Sequence, residues 1–114
     1  MNLEFLTVRG VLVAQVLDSR MDVHGIGDFK SQLKAHLDSG TSRFVLDLSE
    51  VEFVDSSGLG AMVGLFKLLP PGGDMALCGL CPTVVNLVRL TRLDKVFRII
   101  ATQEEAVAAL AAKP

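Results

Sequence analysis

One stretch constrains this chain more than any other: Val51-Glu52-Phe53-Val54-Asp55-Ser56-Ser57-Gly58-Leu59-Gly60. An apolar, strand-like run stops there in an acid, two hydroxyls and two glycines. Apolar residues then return at helical spacing, at Leu59, Met62, Val63 and Phe66. The pattern predicts a strand, a tight turn and a helix start. A hydroxyl at that start can accept a hydrogen bond from a backbone N–H that has no partner within the helix. Ser56 or Ser57 is well placed to act as this cap. The same N–H groups and the helix dipole favour an anion at this point.

The rest of the chain alternates strand and helix patterns around that turn. Leu3 to Thr7 and Val11 to Leu17 read as two strands joined at Arg9-Gly10, a hairpin. Ser19-Arg20-Met21-Asp22 ends that section. From Phe29 to Leu37 the apolar residues Phe29, Leu33 and Leu37 lie on one helix face, and Ser39-Gly40 marks the stop. Phe44 to Leu48 is a largely apolar strand, which suits a central place in a sheet. The helix after Gly58 must end by Leu69, since Pro70-Pro71 cannot continue it, and Gly72-Gly73 turns the chain into a strand over Met75 to Leu80.

Pro82 opens a short helix to Leu90, and a last strand covers Val96 to Ile100. Thr102-Gln103-Glu104-Glu105 is a capping-box pattern that starts a helix running to Ala112. These elements define an α/β fold: a mixed β-sheet with an antiparallel N-terminal hairpin and about four helices mainly on one face. The 114 residues suit a single domain over 1–114, and half of them are apolar, enough for an ordinary core.

Several function classes are disfavoured. With 11 basic and 13 acidic residues the net charge is −2, and no basic stripe is interleaved with aromatics, so no nucleic-acid partner is expected. No apolar run reaches the roughly 18 to 20 residues of a membrane helix. The first residues lack signal-peptide sections, so the expected location is the cytoplasm, without direct membrane insertion. Cys78-Gly79-Leu80-Cys81 is a lone C-x-x-C; with no second pair and no matching histidines it reads as two buried thiols. Nothing links His24 or His36 to the serines, and His36 reads as part of a solvated helix face. Gly58 and Gly60 are not followed by the lysine of a phosphate loop, since Ala61 stands there. Asp22, Asp47 and Asp55 lie at separate element ends with no metal-loop spacing. No catalytic residue, metal or cofactor is expected, and the chain does not read as an enzyme.

Phe44-Val45-Leu46-Asp47-Leu48, Val54-Asp55-Ser56-Ser57-Gly58-Leu59-Gly60, Leu77-Cys78-Gly79-Leu80 and Leu90-Thr91-Arg92-Leu93-Asp94-Lys95-Val96-Phe97 together resemble the STAS domain of anti-sigma factor antagonists. The resemblance spans most of the chain. It implies a module that, unphosphorylated, captures an anti-sigma factor that is also a serine kinase, and so frees a sigma factor. Phosphorylation of the serine after the aspartate, here Ser56, would end the capture, and a phosphoserine phosphatase would restore it; with Ser56 the candidate for the phosphate, Ser57 is the better candidate for the cap. Met21-Asp22 matches the family's leucine-aspartate, which puts Asp22 beside the loop; Asp22, Asp55, Ser57, Gly58 and Leu59 are the partner-binding candidates. A weak homodimer is also compatible with the sequence. The alternative within it is an unphosphorylated STAS regulatory subunit of a membrane transporter, such as a phospholipid ABC system. The chain departs from the pattern at Ser19, where glycine is usual, at the paired Gly25 and Gly27, and at Pro70-Pro71.

Overall fold

Alternate side chains of the central strands feed two separate cores, and this alternation sets the layers. In the computed structural model, which describes residues 1–111, strands β1 (Leu3–Val8) and β2 (Val11–Val16) form an antiparallel hairpin. Its turn puts Arg9 and Gly10 at φ values of 53° and 77°. Two successive positive values make the kind of turn whose twist matches that of the strands it joins. β4 (Arg43–Asp47) pairs parallel with β2 and with β6 (Asp74–Cys78), and β7 (Arg98–Ile100) closes the order β1-β2-β4-β6-β7. The sheet is therefore mixed, with β4 central as its apolar run predicts.

Leu12, Ala14 and Val16 of β2, Phe44 and Leu46 of β4, and Met75 and Leu77 of β6 face one way. They meet three helices: α1 (Ile26–Asp38), α2 (Ser56–Lys67) and α3 (Pro82–Leu90). Val11, Val13, Val45, Ala76 and Cys78 face the other way, onto Ala106, Val107 and Leu110 of α4 (Gln103–Ala111). Both faces of β2, β4 and β6 are thus covered, which is why these strands read as nearly continuous apolar runs. Thr102 Oγ1 accepts a hydrogen bond from Glu105 N at 3.2 Å, one half of the anticipated capping box. The expected end of that helix, Ala112, lies outside the described residues.

A single polar link fastens α4 to the central strand. Asp47 is the one charged side chain buried among the described residues; its Oδ1 accepts from Ser49 N at 3.0 Å and its Oδ2 from Gln103 Nε2 at 2.8 Å. Those two bonds make burial of the carboxylate tolerable.

Four details differ from the sequence reading. Arg20–Met21 does not simply end the hairpin section; it is a strand, β3, paired parallel with β5 (Phe53–Val54) as a separate two-stranded sheet. Helix α1 begins at Ile26 rather than Phe29, because Ile26 itself is buried in the core and draws the first turn in. The last strand is shorter than Val96 to Ile100: Leu93–Lys95 makes a 3-10 turn that drives Phe97 into the core, edge-on to Phe66 at 5.9 Å. His36 is half-buried under Phe5, with ring centroids 4.4 Å apart, and is not a solvated residue.

Leu46 is fully buried between β2, β6 and the helices, whereas Leu6 on β1 is 57% exposed. In urea denaturation Leu46→Ala is expected to cost about 2–5 kcal/mol, and Leu6→Ala to stay within about 0.5 kcal/mol of wild type.

Candidate functional site

The short parallel pair of β3 and β5 delivers the chain to the start of α2. Arg20 lies opposite Phe53 and Met21 opposite Val54, and the ladder ends where Asp55 N donates to Met21 O at 3.2 Å. Asp22 and Asp55, the next residues of the two strands, therefore emerge side by side. Beyond that point backbone pairing gives way to helix.

Asp55, not Ser57, is the N-cap of α2. Its backbone is extended, and its Oδ1 accepts from Gly58 N at 3.0 Å. A carboxylate at this position satisfies an orphan N–H and also meets the positive end of the helix dipole, an advantage no hydroxyl has. Ser56 and Ser57 become the first two helical residues. Ser56 is exposed and Ser57 half-buried, and among the described residues nothing hydrogen-bonds the Ser56 hydroxyl.

Gly58 is buried against its own fold. A Cβ there would stand 2.6 Å from Met21 O and 2.8 Å from Val54 Cγ1. The glycine lets α2 seat directly on the end of the β3–β5 pair. Leu59 is 9% exposed and belongs to the core, while Gly60 is open to solvent. Of the five residues named with Ser56, Asp22, Asp55 and Ser57 thus reach the surface, and Gly58 and Leu59 hold the helix in place.

Asp22 accepts from His24 N at 3.1 Å and from Arg20 Nε at 3.2 Å. The backbone bond from His24, followed by Arg20, holds its carboxyl below the usual carboxylate range, so it is charged at neutral pH. The Arg20 guanidinium also lies over the Phe53 ring, 4.1 Å from its centroid. Phe53 and Val23 are exposed by 39% and 62%. This apolar and cationic border was not picked out from the sequence. The available signal was Phe53 preceding a buried Val54 in an alternating run, which turns Phe53 outward.

The remaining candidates stay apart. Asp47 is engaged with Ser49 and Gln103, and no group of three or more His, Cys, Asp or Glu able to hold a metal converges among the described residues. His24 is exposed in the loop after Asp22. Cys78 is buried and Cys81 half-buried, as the residue preceding Pro82 at the start of α3. Burial, then the nearby Asp47 and Glu104 charges, push the Cys78 thiol up to about 12. No described helix is long and apolar enough to cross a membrane.

The STAS domain family model matches residues 3–106, and the chain belongs to that family. It is 32% identical over 108 residues to the anti-sigma F factor antagonist of Paenibacillus polymyxa, covering 90% of this chain and 88% of that one. The crystal structure of an anti-sigma factor antagonist from Mycobacterium paratuberculosis superposes with a TM-score of 0.88 at 25% identity, covering 96% of this chain and 92% of that one. The anti-sigma factor antagonist SpoIIAA in its unphosphorylated form shares the fold, with a TM-score of 0.76 at 20% identity over 97% and 99% of the two chains. SpoIIAA from Bacillus is also known in a phosphorylated form, of the same fold at a TM-score of 0.74 and 20% identity over 96% and 99%.

Gly58→Ala is expected to destabilise the protein by about 1–3 kcal/mol in spite of alanine's better helix propensity, because the obstacle is a backbone carbonyl. A thermal melt that rises on this substitution would contradict the seating of α2 on Met21. For Cys78, raising the pH above the ordinary thiol value of 9.0 ionises the unfolded chain first, so stability falls between 9.0 and about 12. Iodoacetamide is expected to label Cys78 near pH 9 only after denaturation, as read by mass spectrometry.

Proposed function

We propose that this chain is an anti-sigma factor antagonist controlled by phosphorylation at Ser56. Unphosphorylated, it binds a cytoplasmic anti-sigma factor that is also a serine kinase and so frees a sigma factor. Phosphorylation of Ser56 by that kinase releases it, and a phosphoserine phosphatase returns it to the binding form. The relative named as an anti-sigma F factor antagonist supports the class of function. The observation that carries the site is the Ser56 hydroxyl, exposed, without a hydrogen-bond partner, and set at the first turn of a helix that Asp55 already caps.

The physical logic favours a switch in binding rather than in folding. Because Asp55 is the cap, modifying Ser56 removes no bond that the helix needs. The added phosphate brings roughly −1.5 to −2 charges to the helix N-terminus. There the dipole offsets the charge by up to about 1 kcal/mol, against repulsion from Asp55 and Asp22. A partner packed over the neutral serine meets a different balance. It would have to desolvate a dianion beside two carboxylates, at a cost of roughly 2–5 kcal/mol. Asp22, Asp55 and Ser57 form the polar part of the contact in this reading, and Phe53, Val23 and Arg20 its border.

Incubation with the cognate kinase and ATP is expected to place one phosphate on Ser56 and none on Ser57. Ser56→Ala should keep binding the kinase, while Ser56→Asp should weaken it by roughly 2 kcal/mol, about thirtyfold. Equal affinity of Ser56→Asp and wild type would refute the switch. Co-purification with the subunits of a membrane transporter, in place of a kinase, would point to the regulatory-subunit role instead.

A further inference from the structure

We propose that the free edge of β1 is a self-association surface, through which two copies join their sheets antiparallel about a two-fold axis at Phe5. The register of the hairpin determines which backbone groups are available. Val8 faces Val11 across the two-residue turn, and Leu17 N donates to Asn2 O at 2.9 Å, so the even-numbered residues of β1 turn their N–H and C=O groups toward β2. Leu3, Phe5 and Thr7 then turn theirs outward. β1 stands at the end of the sheet order, and among the described residues no other segment takes those groups.

This edge lacks the usual protections. It is six residues long, its register with β2 runs without a bulge from Leu3↔Val16 to Val8↔Val11, and Leu-Glu-Phe-Leu-Thr-Val contains neither proline nor lysine. The opposite edge, β7, has only three residues and begins with an arginine. The side chains beside β1 are also uncovered. Helix α4 packs on Val11, Val13, Val45, Ala76 and Cys78, and Val8 at the end of β1 joins that core, while Leu6 stays 57% and Leu17 39% exposed.

A second copy fits the edge better than an unrelated strand because the strand is complementary to itself. Pairing about Phe5 sets Leu3 opposite Thr7 of the second copy, and Glu4 opposite its Leu6. The single charge on the strand therefore stands directly opposite a leucine and not its like, and the two Leu6 side chains become diagonal neighbours, as do the two Glu4 side chains. Leu3, Phe5 and Thr7 exchange six backbone hydrogen bonds across the axis. An interface of one strand falls well below the roughly 1,200–2,000 Å² of stable complexes, so the dimer is a weak one.

Sedimentation velocity on the full chain from micromolar to millimolar concentration is expected to reveal a reversible monomer–dimer equilibrium. Thr7→Pro removes an outward N–H and no internal bond, and Leu6→Glu sets a carboxylate directly opposite Glu4 of the second copy; each should raise the dissociation constant roughly tenfold or more while leaving the melting temperature near that of wild type. Cross-linking gives an independent reading. In a Cys81→Ser background, Glu4→Cys with Leu6→Cys should form oxidised dimers with the bridges between positions 4 and 6, whereas Glu4→Cys alone should form few. A wild type that stays monomeric at millimolar concentration, or Thr7→Pro and Leu6→Glu variants that associate as tightly as wild type, would overturn the proposal.

Discussion

The close approach of Gly58 to the carbonyl of Met21 is the constraint on which the candidate site depends. A helix normally packs on a sheet through its side chains, which hold the two backbones apart. Here the first turn of α2 comes down on the backbone of β3, and any side chain at position 58 would lift it off. That approach, the Asp55 N–Met21 O hydrogen bond and the Asp55 cap form one small assembly. It fixes the direction in which Ser56 leaves the surface and brings Asp22, more than thirty positions earlier in the chain, next to Asp55.

The larger features of this fold were legible in the sequence because they follow from periodicity. The apolar runs of β2, β4 and β6, the Arg9-Gly10 turn and the proline stop after α2 each have a local cause, and each is found where it was expected. The strand pair β3–β5 was not legible, since two residues carry no periodicity and their pairing is decided by long-range contact. The cap was misassigned for a related reason. Asp, Ser and Ser are all good caps, and the choice among them rests on which residue keeps an extended backbone. Here the β5 pairing holds Asp55 extended, and the helix starts at Ser56, earlier than a Ser57 cap would allow.

Charge is distributed so that the site remains open while the rest of the molecule stays chemically quiet. The Cys78 thiol is held neutral by burial, and Asp47 is occupied by two hydrogen bonds. At the loop, by contrast, Asp22 is kept ionised and Arg20 is retained by both Asp22 and Phe53. Such pre-arranged charges cost little to present to a partner, because the loop is already ordered by backbone bonds. The fold thereby separates an ionised surface loop from a core whose polar groups are already satisfied or held neutral.

The link between Asp47 and Gln103 spans 56 positions in the chain. The surface that α4 covers is drawn from β2, β4 and β6, so it does not exist until those three strands lie side by side. The C-terminal helix has nothing to dock on before then, and the buried carboxylate has no partner for its second oxygen. Docking of α4 therefore requires those three strands to be paired, and it seals the back of the sheet they form. On a ribosome this order is natural, since α4 emerges after the three strands it covers.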